Sequence, residues 1–431
     1  YLNNLWYLTI YYLNASQGGK YPGRFVNGLW GWSRDVQNWN FYYHWNQQQL
    51  YWPLNAAGFH ELVQPYLEYR FNSLPNAKKD AREFFQAEGA YISDVTERRG
   101  YNSLGEKFNH TPVAQIALDF WRQYRYTNDR TFLIQKAQPF IVEAARFFES
   151  LFEIGEDGLY YPGESTGYEG WIVMKNGLTD ISHAKAIFSV AIEASKAAKK
   201  DMPEIKKWRH ILEHLAPLPV VEADTAMVIK TETGFQLNRG FFKGKPVPIN
   251  KILAAGWGIK ENTWLTAYEA GDEEKRYRLK LVDGIFPSVS SAPVFPAAII
   301  GLEQKGTPLF DKVKTTILLY GLEITGWDPV PVALARLGLK KALEKDLEFF
   351  PGRWQIYNNG WGHWGLEHDV YGKDYHQLTR DAEWFFRTYE VQDINSNEKF
   401  PLRMWPFRYT SMEAMSVLST AMNESLLQSY D

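Results

Sequence analysis

The chain has 431 residues, 45% of them apolar and 23% charged, and its formal net charge is −3. Ordinary globular composition excludes whole-chain disorder, and a near-neutral charge leaves no basic field for nucleic acid. The absence of cysteine excludes a disulfide framework, a thiolate metal site and a cysteine nucleophile.

The length is too great for one small core. It suits one large barrel or two ordinary domains. The chain opens inside a helical pattern over 1–13, which reads as a fragment whose upstream part is missing. No signal peptide pattern begins it, and the longest apolar runs are far short of a membrane span. Segment 47–71 has apolar residues at three- and four-residue spacing, with Pro53 marking a break. A helix follows over 76–88. Thr111-Pro112 supplies a cap and first turn for 111–127, whose Val113, Ile116, Ala117, Phe120, Trp121 and Tyr124 share one stripe. Segments 130–154, 180–200 and 202–215 repeat the helical pattern. Stretch 225–237 reads as a small β-hairpin turning at Thr231-Glu232-Thr233-Gly234. Further helices are expected at 261–270, 273–283, 308–320, 328–349, 373–391 and 410–428. About a dozen amphipathic helices with no βαβ rhythm and no fixed-period repeat point to an all-α (α/α)6 barrel, a helical toroid with long aromatic-rich loops. Two packed helical bundles are the alternative.

Aromatic residues make up 16% of the chain, and many stand beside Gly, Asn, Gln or charged residues. Examples are Trp30 and Trp32, Trp39 to Trp45, and Trp361, His363 and Trp364. Aromatic rings stack on the C–H faces of sugars while amides and carboxylates bond the hydroxyls. A large aromatic core is the plainer reading, but it accounts poorly for Gly-flanked, polar clusters.

Several segments resemble the catalytic barrel of glycoside hydrolase family 95, the α-L-fucosidase and α-L-galactosidase family. Gly28-Leu29-Trp30, followed by Tyr43-His44-Trp45-Asn46-Gln47-Gln48-Gln49-Leu50-Tyr51-Trp52-Pro53, is similar to that family's G-I-W … Y-H-x-N-x-N-x-Q-x-N-Y-W-P run. The stretch from Phe120 to Asp129 resembles its W-x-x-Y-x-F-T-G-D pattern. Asp157-Gly158-Leu159 through Glu164-Ser165-Thr166-Gly167-Tyr168-Glu169 aligns without a gap to D-G-Y-L-x-x-x-P-S-x-S-P-E. Asp180 and Phe188…Ile192-Glu193-Ala194 continue the match. Thr325-Gly326-Trp327 with Ala335-Arg336-Leu337-Gly338 resembles T-G-W-S…W-A-R-L-G, and Asn423 to Ser429 resembles A-E-M-L-L-Q-S. The likeness is distant but spans nearly the whole chain. It implies one catalytic toroid over residues 1–431, without the family's flanking β-domains, and an extracytoplasmic (periplasmic or secreted) location.

The resemblance further implies inverting, exo-acting cleavage of an α-glycosidic bond by general acid and general base on an oligosaccharide or polysaccharide, with no cofactor. Glu169 falls at the general-acid position, where Tyr160, Tyr161, Tyr168 and Trp171 would desolvate it and keep it protonated. The family's base position is occupied here by Leu322, so Glu323 or Asp328 is proposed instead, Glu323 slightly favoured. Asp328 could equally serve a helix start before Pro329. Asn46 matches one of two water-holding amides; Gln48 or His44 takes the other place. Substrate-binding candidates are Trp30, Trp32, Arg34, Asp35, Trp39, Trp361, His363, Trp364, Arg403 and Glu413. A polysaccharide lyase using His44 with Tyr42 or Tyr43, a phosphorylase, and a glycan-binding protein that has lost catalysis are the alternatives. His210 and His214 have metal-pair spacing but no evident third ligand, so they read as a surface helix face, and His363, His368 and Asp369 read as cleft residues. No metal is expected.

Overall fold

The computed structural model describes residues 1–17, 21–23, 41–103, 109–167, 176–221, 228–231, 236–237, 252–253, 264–269, 272–280, 291–320, 328–354, 387–392, 399–404 and 412–428. Its helices are α1 (Leu2–Ser16), α2 (His44–Gln49), α3 (His60–Asn72), α4 (Leu74–Phe85), α5 (Thr111–Thr127), α6 (Arg130–Phe132), α7 (Gln138–Leu151), α8 (Leu178–Ala197), α9 (Glu204–Glu213), α10 (Pro308–Tyr320), α11 (Val330–Arg336), α12 (Lys340–Trp354) and α13 (Met412–Leu426). Helices α8, α5, α2, α13 and α11 pack one on the next in that order. Helices α3 and α7 lie against α5, α9 against α8, α10 against α11, and α12 against α11 and α13. An inner run of helices backed by others is the toroid expected from the sequence. No helix among the described residues is long and apolar enough to cross a membrane.

Helix α5 shows how the sequence writes the ring. Thr111 donates both its backbone N–H and its hydroxyl to Asn109 Oδ1, Pro112 fits the first turn, and Asn128 ends the helix at φ 51°. Val113, Ile116, Ala117 and Phe120 are fully buried, and the Phe120 ring stacks on Phe140 of α7 with centroids 4.5 Å apart. The expected break at Pro53 is present, since residues 50–58 form turns between α2 and α3.

Two long helices are interrupted. The 130–154 pattern becomes the single turn α6, a π-helical turn over Leu133–Ala137, and α7. The 328–349 pattern divides into α11 and α12 at Gly338, whose φ is +65° and where a Cβ would lie 3.0 Å from the Leu302 side chain.

The β structure is larger than a hairpin. The expected pair is present as β6 (Val228–Thr231) with β7 (Gln236–Leu237), after the short pieces β1 (Tyr42–Tyr43), β2 (Val95–Thr96), β3 (Phe152–Ile154), β4 (Tyr160–Pro162) and β5 (Val220–Val221). Past β8 (Ile252–Leu253), the helices expected over 261–270 and 273–283 are instead strands β9 (Trp264–Glu269) and β10 (Asp272–Lys280). They complete an antiparallel sheet in the order β10-β9-β6-β7. Trp264, Thr266 and Tyr268 alternate along β9, a two-residue period rich in aromatic and branched side chains that a strand accommodates better than a helix. The described end of the expected 373–391 helix is likewise strand β11 (Arg387–Gln392), paired with β12 (Lys399–Met404).

Helices α11 and α13 are joined by a buried ion pair. Arg336 donates from Nε and Nη2 to the two Glu424 oxygens at 3.1 and 3.0 Å, from Nη1 to Val294 O at 3.3 Å, and lies 4.8 Å from the Phe295 ring centroid. The two side chains are only 1% and 3% exposed, so each charge depends on the other. Replacing Glu424 with Ala removes the carboxylate that faces a buried guanidinium and is expected to cost about 3–5 kcal/mol of unfolding free energy by urea denaturation. The double change Arg336→Met with Glu424→Leu is expected to recover most of that loss.

Candidate active site

Several inner helices begin with buried polar side chains. Helix α2 is short, and all six of its residues are buried, five of them polar: His44, Asn46, Gln47, Gln48 and Gln49. Buried amides are tolerated only when hydrogen-bonded, and the partners come from the neighbouring helices. Gln115 Oε1 on α5 accepts from Gln48 Nε2 at 2.5 Å and stands 2.9 Å from His44 Nε2, while its Nε2 donates to Thr111 Oγ1 at 3.1 Å. Gln47 Oε1 accepts from Arg70 at 2.6 Å, and Arg70, itself fully buried, also donates to Thr96 Oγ1 at 3.1 Å. Asn46 Nδ2 donates to Glu413 Oε1 on α13 at 3.0 Å.

This arrangement fixes protonation. Gln115 offers an oxygen to His44, so the imidazole must carry its proton on Nε2. Burial, with the nearby Arg70 charge, holds the His44 pKa well below the usual histidine value. His44 is therefore neutral near pH 7, with Nδ1 free of any hydrogen-bond partner among the described residues.

Three acids stand where inner helices begin. Glu413 lies in the first turn of α13, Asp180 in the first turn of α8, and Asp328 two residues before α11. All three are buried. Helix N-termini favour carboxylates through unpaired N–H groups and the macrodipole, but burial opposes ionisation. For Asp180 burial wins, and its pKa is pushed up to about 7 despite the Ser165 hydroxyl. His183, one turn further along α8, is kept neutral by burial with its pKa lowered to about 4, and its Nδ1 lies 2.7 Å from Thr179 O.

Five sequence-derived candidates are thus buried on or just before inner helices: His44, Asn46, Gln48, Asp328 and Glu413. Asn46 and Glu413 touch directly, and Gln48 and His44 meet through Gln115. Arg403 lies on β12 opposite Thr388. Glu169, Glu323, Trp30, Trp32, Arg34, Asp35, Trp39, Trp361, His363 and Trp364 lie outside the described residues, as do His368 and Asp369. The sequence reading missed Gln115 and His183, and took Asp180 only as part of a pattern. A signal for Gln115 was present. Thr111, Gln115, Asp119 and Gln123 recur every four residues on a helix otherwise rich in core residues, and all four are buried.

Comparison with known proteins places this geometry. The profile of the glycosyl hydrolase family 95 catalytic domain matches residues 6–227, just over half of the chain. The chain belongs to that family. Family membership covers α1 through α9 and hence the buried polar residues of α2, α5 and α8. Among curated proteins, a kojibiose hydrolase from Mucilaginibacter mallensis is 28% identical over 120 residues, 27% of this chain and 18% of that protein. A kojibiose hydrolase from Flavobacterium johnsoniae is 28% identical over 105 residues, 23% of this chain and 15% of that protein. The matched segments thus span less than a fifth of each relative's length. Among solved structures, a wild-type glycosidase superposes with a TM-score of 0.56 at 9% identity over 99% of this chain and 98% of its own. A putative kojibiose phosphorylase from the human microbiome gives 0.50 at 15% identity over 76% of this chain and 47% of its own. These likenesses establish the toroid fold.

Asp180 gives the site a measurable pH signature. Its folded pKa, about 7, exceeds the ordinary 3.8, so its neutral form is favoured by folding. Its contribution is complete below about pH 4 and is lost as pH rises toward 7 and beyond. The full loss is about 4 kcal/mol by linkage. Asp180→Asn cannot ionise. The variant's stability relative to the parent is therefore expected to rise between pH 4.5 and pH 8, read by urea denaturation at both values. An unchanged difference would place the Asp180 carboxyl in water.

Proposed function

We propose that this protein is an inverting, exo-acting α-glycosidase that removes the terminal sugar from a short α-linked oligosaccharide. The observation that carries this reading is the buried set of carboxylates and amides where α2, α8, α11 and α13 begin, within a family 95 catalytic domain. Glycoside hydrolysis by inversion needs a protonated acid at the leaving oxygen and a carboxylate that activates water on the opposite face. In this reading Glu169 is the acid. The base is Glu323 or Asp328, and burial of Asp328 at the head of α11 favours Asp328. Asn46, braced by Glu413, presents its side-chain oxygen to the attacking water, which passes its proton to the base.

The sugar follows from two lines of support. Family resemblance suggests an α-L-fucoside or α-L-galactoside. The curated relatives are named for hydrolysis of kojibiose, a disaccharide, and a variant of the neighbouring glycosidase is described in complex with glucose. The second line rests on sequence matches inside this chain, so an α-glucosyl disaccharide is the first substrate we assign. The putative kojibiose phosphorylase neighbour supports phosphorolysis on the same toroid as a second reading.

The test is a panel of kojibiose, other α-glucosyl disaccharides, and aryl α-L-fucoside and α-L-galactoside, each with and without inorganic phosphate. Expected is release of free sugar from an α-glucosyl disaccharide without phosphate, with the β-anomer appearing first by proton NMR. Glu169→Gln is expected to lower kcat by about 10²–10⁴-fold, and Asp328→Asn to a similar extent. Turnover only with phosphate selects the phosphorylase. Binding measured by calorimetry without any turnover overturns the enzyme reading, and activity that survives Glu169→Gln removes Glu169 as the acid.

A further inference from the structure

Helix α9 ends in His210-Ile211-Leu212-Glu213-His214, with His214 as its C-cap residue. On a helix, residues three and four apart stand on one face. Here that geometry brings one donor atom each of His210, Glu213 and His214 within 4.8 Å of one another. The two imidazole centroids are 4.2 Å apart with their planes inclined by 42°. The sequence offered a histidine pair without an evident third ligand, and the structure supplies Glu213.

We propose that these three side chains form a transition-metal site that takes Zn²⁺. His214 Nδ1 lies 2.8 Å from the His210 backbone oxygen. That carbonyl can only accept, so Nδ1 carries the proton and Nε2 presents its lone pair outward. A metal-ligating histidine is commonly oriented in this way by its other ring nitrogen. The His210 ring makes no hydrogen bond among the described residues, and its neighbours there are the His214 ring and the edge of Tyr160, 5.9 Å away between centroids. Glu213 forms no ion pair among the described residues. Both His210 and Glu213 are solvent-exposed, so an aquated ion reaches them directly.

The support beneath the site is firm. Tyr160 N donates to His214 O at 2.8 Å, and Ala216 N donates to Tyr160 O at 2.9 Å, which ties the end of α9 to β4. Two imidazoles and one carboxylate suit a borderline ion such as Zn²⁺ better than Ca²⁺ or Mg²⁺, which prefer all-oxygen shells. Tetrahedral zinc needs donors roughly 3.4 Å apart, a contraction that exposed side chains make by small rotamer changes. Water completes the coordination. The spacing is also that of H-x-x-E-H zinc helices, but here the group caps an exposed helix end and the role assigned is structural. Zinc would lock the last turn of α9, whose end the backbone bonds already hold to β4.

The experiment uses the full chain stripped with a chelator and titrated with zinc sulfate by calorimetry. Expected is one site of roughly micromolar dissociation constant, at least tenfold weaker in His210→Ala and in His214→Ala. The melting temperature of the parent rises with zinc and that of His210→Ala does not. Circular dichroism without metal checks that each variant folds. In the unmutated protein, sub-stoichiometric Cu²⁺ is expected to broaden the ring proton signals of two histidines before the others. Absence of zinc heat, or binding that persists in both variants, overturns the site. Copper broadening spread evenly over the nine histidines overturns it without relying on any variant.

Discussion

The constraint on which the rest of the structure depends is the burial of helix α2. Five polar side chains in six residues are taken out of water within the inner run of helices. Such a segment is stable only if almost every amide finds a partner, and no single neighbour can supply them all. Gln115 on α5, Arg70 on α3 and Glu413 on α13 each answer one part. The position of α2 therefore fixes the rotation of α5 and α13 about their own axes. A one-residue slip of α5 would carry Gln115 about 100° away and leave both His44 Nε2 and Gln48 Nε2 unsatisfied, each at a cost of about 1–3 kcal/mol.

Ring closure solves a different problem. A toroid begins and ends at one seam, and here the two termini of the described chain make it together. Helix α1 packs on α13. Trp6 Nε1 donates to Asn423 Oδ1 at 3.1 Å and Ser419 Oγ to Thr9 Oγ1 at 3.0 Å, while Asn423 Nδ2 donates to Pro53 O at 2.9 Å beside α2. Asn423 thus links the first helix, the turn after α2 and the last helix. The next residue of α13, Glu424, is half of the Arg336 pair. Three parts of the chain that are distant in sequence converge on two successive side chains of α13. That concentration makes the seam cooperative, since loosening α13 would release α1, α2 and α11 at once.

The helical body was legible because its signals are local. Thr111-Pro112 starts α5 where the sequence says it should, and the apolar stripes place α8 and α9 within a few residues. The failures also have physical causes. Segment 264–280 contains enough Leu, Ala, Glu, Lys and Arg to pass for helix, but it pairs as β9 and β10 because a neighbouring strand, β6, is available. Strand pairing is a non-local fact that a single window does not contain. Of the site, His44, Asn46 and Gln48 follow from the resemblance and Glu413 from its place on the last helix, whereas Gln115 is signalled only by polar residues at helical spacing. An apolar stripe reports a core, but a polar stripe inside a buried helix reports a network, and only the first was sought.

The acids at the helix starts also clarify why burial and ionisation are balanced here rather than resolved in one direction. Placed mid-helix, a buried Asp would meet only desolvation and become an ordinary protonated acid. Placed in water, it would stay ionised throughout the working pH range. At the first turn of α8, Asp180 meets both influences, and its pKa settles at about 7, where each form is populated. Asp119, at the middle of α5, has direct partners that oppose its burial. It accepts from Arg122 at 2.6 Å and from Tyr66 at 3.0 Å, and its pKa, though still raised by burial, stops at about 6. At both sites desolvation is the larger influence and the hydrogen-bonding partners oppose it. An inner ring built on that balance can keep one carboxyl protonated and another ionised at the same pH, and this is the separation that acid–base cleavage of a glycosidic bond requires.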